Sequence, residues 1–181
     1  LRNNKIHFAL IFVILIIIPE YAFPQNSLMT LSEIQKTKLY KSMEEALKES
    51  DDVYRLNLSN SGLTQLPPEI SLLKTLQSVN ISNNPIIELP NEIGDLENLQ
   101  RVNLSGTNIT NLPSEFSRLK NIIYLNLDGM TSLNVTSALN KIFSLENLRE
   151  LSMNEVYMMS LPSQIGKLKN LEKLKLSRCG F

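Results

Sequence analysis

One pattern constrains this chain more than any other: apolar residues recur at a period of 23 residues across positions 53–181. Units begin at Val53, Leu76, Leu99, Ile122, Leu148 and Leu171, so successive spacings are 23, 23, 23, 26 and 23 residues. Within a unit the first, fourth and sixth positions are apolar, as in Leu76, Val79 and Ile81, in Leu99, Val102 and Leu104, and in Leu148, Leu151 and Met153. Polar residues stand between them, as in Arg55-Leu56-Asn57-Leu58. That alternation describes a short strand with one inward face. A unit this small cannot bury its own leucines, so the period predicts stacked units around one continuous core.

The second half of the unit carries its own signature. Leu66-Pro67, Leu89-Pro90, Leu112-Pro113 and Leu161-Pro162 recur in register, each followed three residues after the proline by Ile70, Ile93, Phe116 or Ile165. Proline fixes its backbone angle and donates no hydrogen bond, so it suits the half of the unit that forms no ladder. The template Leu-x-x-Leu-x-Leu-x-x-Asn-x-Leu-x-x-Leu-Pro-x-x-Ile-x-x-Leu-x-x resembles the leucine-rich-repeat family in its typical 23-residue class, and with the leader described below it is similar to bacterial secreted members. The resemblance covers Val53 to Phe181, 129 of 181 residues. It implies an α/β fold: a leucine-rich-repeat solenoid, or horseshoe, with a parallel sheet on the concave side, the proline-containing half on the convex side and an N-terminal capping helix.

Two units depart from the template. The fourth, Ile122 to Asn147, is three residues longer and lacks the Leu-Pro pair, while Ala138, Leu139, Ile142 and Phe143 fall at helical intervals, which predicts a longer convex helix there. The sixth stops after 11 residues with its strand written and its convex half missing; its final core layer is expected to fray or to self-associate. Position nine, where the family places an asparagine that bonds to the neighbouring turn, reads Ser61, Asn84, Thr107, Met130, Val156 and Cys179. Met130 and Val156 cannot make that bond, so the ladder is expected to be irregular around units four and five. Cys179 is expected inside the core.

Ahead of the repeats, Arg2 and Lys5 precede an apolar run from Phe8 to Ile18 and then Pro19. The order of basic, apolar and polar regions reads as a signal peptide over residues 1–24, with a mature start near Gln25 and export to the cell envelope or medium. The run is shorter than the roughly 20 residues of a spanning helix. An uncleaved leader acting as a membrane anchor is the alternative. Residues 25–52 read as linker and cap, with a helix over Lys36 to Asp51 whose Ser42 and Glu45 fit a capping box. Met43, Ala46 and Leu47 are expected on the first core layer and Glu44, Glu45 and Lys48 in water. Residues 53–181 form the repeat domain.

Chemistry is scarce. The one histidine, His7, lies in the leader, which removes Ser-His and Cys-His arrangements from the mature chain. One cysteine and one histidine leave neither a disulfide nor a Cys/His zinc site, and no phosphate-cradling glycine motif is present, so neither metal nor cofactor is expected. Asp128, Glu150 and Glu155 are the carboxylates whose strand-side placement allows acid/base work, yet charges on an exposed sheet are ordinarily a solvated face. Eighteen basic and eighteen acidic residues cancel, which disfavours nucleic acid as a partner. Five Asn-x-Ser/Thr sequons begin at Asn57, Asn80, Asn103, Asn108 and Asn134, three of them created by the strand pattern itself.

Binding is therefore the expected function, with a protein as the partner. Positions two, three, five, seven and eight of each strand are expected to face the concave side. The fifth-position column, Asn57, Asn80, Asn103 and Asn126, reads as sheet solvation. The candidate contact residues are Tyr54, Arg55, Gln77, Gln100, Arg101, Tyr124, Arg149, Glu150 and Lys173, centred on Arg101, Tyr124, Arg149 and Glu150, because Tyr and Arg dominate interface energetics. The competing reading is a structural N-terminal portion of a longer envelope protein or receptor.

Overall fold

A computed structural model describes residues 28–180. The expected signal peptide at 1–24 lies outside the described residues. Seven parallel strands form one sheet in chain order: β1 (Leu39–Tyr40), β2 (Arg55–Asn57), β3 (Ser78–Asn80), β4 (Arg101–Asn103), β5 (Tyr124–Asn126), β6 (Glu150–Ser152) and β7 (Lys173–Lys175). Strands β2 to β7 cover positions three to five of the six units. Like positions pair throughout: Val79 lies opposite Val102, Val102 opposite Leu125, and Leu125 opposite Leu151.

The ladder continues past the short strands. The position-six N–H donates to the position-five carbonyl of the next unit, as Leu58 to Asn80, Ile81 to Asn103 and Leu104 to Asn126. The position-eight N–H donates to the next unit's position-seven carbonyl, as Asn60 to Ser82 and Gly106 to Asp128. Position eight is left-handed in every unit: Asn60, Asn83, Gly106, Gly129, Glu155 and Arg178 all have φ between 56° and 70°. Asparagine and glycine accept that conformation readily. Position eight thus turns the chain out of the sheet instead of lining its face, which corrects the expectation for that column.

The proline half forms 3-10 turns at Pro68–Leu72, Asn91–Asp95, Ser114–Arg118 and Ser163–Lys167. Each preceding proline lends its carbonyl to the residue three along: Pro67 to Ile70, Pro90 to Ile93, Pro113 to Phe116 and Pro162 to Ile165. Ile70, Ile93 and Phe116 thereby enter the core, as do the strand residues Leu56, Val79, Val102, Leu125 and Leu151. A second ladder crosses this side: Asn98, Asn121, Asn147 and Asn170 each donate from Nδ2 to a carbonyl of the preceding unit, on Lys74, Glu97, Lys120 and Glu146. The long fourth unit carries the expected convex helix, Val135–Ile142, with Ala138, Leu139 and Ile142 buried and the Asn134 side chain accepting the Ser137 N–H as its cap.

The N-terminal cap differs from the single helix expected over Lys36 to Asp51. It is a helix α1 (Leu31–Lys36), strand β1, a helix α2 (Met43–Lys48) and a 3-10 turn at Ser50–Asp52. The reason is the exposed edge of β2, whose backbone groups need a partner; β1 supplies it, Leu39 opposite Arg55 and Tyr40 opposite Leu56. Tyr40 is 1% exposed, and its hydroxyl donates to Glu49. Ser42 caps α2 through the Glu45 N–H, but the Glu45 carboxylate turns to Lys38 at 3.3 Å. The reciprocal capping box occurs instead at Thr30 and Glu33 on α1. Ala46 is buried, Met43 and Leu47 pack against the core, and Glu44, Glu45 and Lys48 are exposed, as expected.

The position-nine column behaves as its chemistry requires. Asn84 is 1% exposed; its Oδ1 accepts from the Ser61 and Leu63 N–H groups, and its Nδ2 donates to the carbonyls of Leu58 and Ile81. Thr107 donates to Leu104, Met130 and Val156 simply fill space, and Cys179 is buried with its thiol 3.1 Å from the Met153 carbonyl. No described helix is long and apolar enough to cross a membrane.

Candidate concave site

Parallel pairing of like positions aligns position three across the sheet: Arg55, Ser78, Arg101, Tyr124, Glu150 and Lys173 are register partners in sequence. Adjacent strands lie about 4.8 Å apart, so these side chains form one row. The Arg101 guanidinium carbon sits 4.4 Å from the centroid of the Tyr124 ring, a cation–π stack. Beyond Tyr124, Glu150 accepts from Lys175 at 2.7 Å and faces Lys173 at 3.5 Å. The Lys175 hydrogen bond is the main reason the Glu150 carboxyl is held below its ordinary range, and the same bond raises the lysine. Lys175 lies outside the expected contact set, although it is the closest partner of Glu150, because the position-five column reads as solvation from its first four members, all asparagines.

Those asparagines do structural work. The Oδ1 atoms of Asn57, Asn80, Asn103 and Asn126 accept the backbone N–H of Ser59, Ser82, Ser105 and Asp128, two residues on, at 2.8–3.1 Å. The position-seven N–H has no ladder partner, and a short amide side chain is the group that reaches it. In units five and six the column changes to Ser152 and Lys175. There the position-seven side chain of the preceding unit takes over: Asp128 accepts from the Asn154 N–H and the Ser152 hydroxyl, and Asn154 accepts from the Ser177 N–H. The column is a turn-holding device, a role the sheet-solvation reading missed.

Of the nine expected contact residues, Arg55, Arg101, Tyr124, Glu150 and Lys173 stand together in the position-three row. The four at position two do not join them. Gln77 and Gln100 are 4% and 3% exposed, so neither presents a concave contact. They bond to one another and clasp the backbone of Met29, Gln77 accepting its N–H and Gln100 donating to its carbonyl. Position two lies at the strand entrance, where the N-terminal segment crosses the sheet's flank. Arg149 is exposed on that flank and pairs with Glu172 at 3.2 Å, apart from the row. Tyr54 is half-buried, and its carbonyl accepts from both Gln77 and Ser78.

Between β1 and β5 the row bounds a groove of about 230 Å³, lined among others by Arg55, Asn57, Asn80, Arg101, Asn103 and Tyr124. The carboxylates weighed for acid/base work are each committed elsewhere: Glu150 to the lysines, Asp128 to Ser152 and Asn154, and Glu155 to Arg178 at 2.8 Å. Among the described residues no group of three or more His, Cys, Asp or Glu is placed to hold a metal.

Comparison with known proteins agrees with this geometry. The family model of the leucine-rich repeat region matches residues 79–180. A solved leucine-rich-repeat protein of Leptospira interrogans is 35% identical, with a TM-score of 0.67 over 78% of this chain and 35% of its own. An internalin of Listeria monocytogenes is 20% identical, with a TM-score of 0.59 over 71% of this chain and 37% of its own, and shares the fold. This chain therefore spans about a third of the length of each. No curated protein shows significant similarity to it. Period, parallel one-unit register and family match coincide, and the chain belongs to the leucine-rich-repeat family.

Proposed function

We propose that this chain is an exported, non-catalytic scaffold that binds a protein on its concave face. The observation that carries the reading is the continuous position-three row: an arginine stacked on a tyrosine, followed by a carboxylate clasped by lysines, beside an open groove. Such rigid aromatic and guanidinium groups supply contact area and bidentate hydrogen bonds at low entropic cost. Leucine-rich-repeat domains are commonly binding modules, which fits the same reading. Export rests on the leader sequence, Arg2, Lys5 and the apolar run to Ile18.

A photo-crosslinking amino acid at Tyr124, compared with one at the exposed Leu72 on the opposite side, tests the binding surface in cells that make the protein. A discrete protein adduct from position 124 alone is expected. Adducts from position 72 alone, or from neither, would remove the concave-face reading. Intact-mass measurement of the exported fraction is expected to give a chain starting near Gln25; only full-length intracellular chain would remove the export reading.

A further inference from the structure

We infer that the groove between β1 and β5 recognises an extended acidic peptide segment of the partner, an inference that rests on the protein-binding reading. The first ground is the asparagine column. Because Oδ1 of Asn57, Asn80 and Asn103 is occupied by the backbone N–H two residues on, the orientation of each amide is set by that bond. The Nδ2 groups have no acceptor among the described residues, and these three asparagines line the groove. The floor of the groove is therefore a row of amide donors with no acceptor among the described residues, each held in place by the one bond its own oxygen accepts. A ligand rich in acceptors matches it.

The second ground is charge. Three arginines among the described residues pair with carboxylates: Arg118 with Asp95, Arg149 with Glu172 and Arg178 with Glu155. Arg55 and Arg101 have no such partner among the described residues, and both line the groove. No Asp or Glu lines it. Arg101 is held on Tyr124, and Arg55 is anchored by the Gln35 and Thr37 carbonyls, so both positive charges are fixed in place before any ligand arrives. They stand two strands apart, about 10 Å. Acidic residues three apart in an extended chain of polyproline type span about the same distance on one side of the chain. Backbone carbonyls between them can accept from the asparagine amides.

The test uses a fluorescein-labelled oligoglutamate peptide as probe, with oligoglutamine and oligothymidylate as comparators, and reads fluorescence anisotropy on the folded chain. Asn103→Asp is the sharpest variant, because it keeps the oxygen that holds the Ser105 N–H and replaces the donor with an acceptor. Asn80→Asp repeats the test one strand away, and Arg101→Gln removes a charge without touching the asparagine column. Each is expected to lower oligoglutamate affinity about tenfold or more, while Arg118→Gln on the opposite side leaves it unchanged, with circular dichroism matching the unaltered chain. Oligoglutamate affinity that is equal across these variants, or oligothymidylate binding as tightly at the same residues, would overturn the inference. A concave protein cross-link without oligoglutamate affinity would overturn it too and leave the protein-binding reading intact. Oligoglutamate affinity without any concave cross-link would cut the other way, against the partner and not against the groove's chemistry.

Discussion

Arg101 and Tyr124 are register partners on adjacent strands, and the guanidinium carbon of the first sits over the ring of the second, 4.4 Å from its centroid. The stack joins two units through side chains that face solvent, and it holds both in the geometry a partner would meet. A double-mutant cycle with Arg101→Ala and Tyr124→Ala is expected to return a coupling of about 0.5–1 kcal/mol in chemical denaturation. Additive losses would show that the stack holds nothing. For the partner itself, Tyr124→Ala is expected to weaken binding by about 2 kcal/mol while Lys120→Ala on the opposite side changes little, measured by titration calorimetry on folded variants.

Leu104 and Asn103 are neighbours with opposite fates, the first 1% exposed and the second half-buried with its Oδ1 on the Ser105 N–H. Leu104→Ala is expected to cost about 2–5 kcal/mol through lost burial and an unfilled cavity. Asn103→Ala removes one hydrogen bond at the surface and is expected to cost about 1 kcal/mol. Equal losses in urea denaturation would refute the phase assigned to the strand.

Asn84 is the one asparagine at position nine, 1% exposed, and its amide satisfies two N–H groups and two carbonyls. Asn84→Ala removes all four bonds and leaves the Leu58 and Ile81 carbonyls buried without them, and a cost of about 2–4 kcal/mol is expected in the same denaturation assay. A loss below that of Asn103→Ala would mean that water enters and replaces the amide.

Acid is expected to loosen the concave row. Glu150 in the folded chain titrates below its ordinary value of 4.5, first because of the Lys175 hydrogen bond and then through the nearby charges of Lys175 and Lys173. A folded value below the unfolded one means that the carboxylate's contribution is fully present above the unfolded value and is lost as pH falls through the folded one. Unfolding curves are therefore expected to show Glu150→Gln less stable than the unaltered chain at pH 7, with the difference closing as pH falls below the ordinary carboxylate value of 4.5. A gap that persists at lower pH would assign the effect to packing instead.

The period, the apolar columns and the Leu-Pro pairs by themselves determined the architecture, because a repeat that cannot close its own core has one way to do so, by stacking in register. The buried positions, the convex helix of the fourth unit and the place of Cys179 follow from the same columns and were legible in them. What tertiary structure alone decided lies where the same residue type serves two neighbours at once. Gln77 and Gln100 look like surface residues in the strand pattern, yet a distant segment at Met29 covers and bonds them. The Lys36 to Asp51 stretch has helical spacing, yet the open edge of β2 draws Leu39 and Tyr40 into a strand. The Asn column reads as solvation until the unpaired N–H two residues on is in view. In each case the deciding partner is a backbone group, which every residue carries alike, so its need leaves no mark in the one-dimensional pattern and appears only when the chain has folded around it.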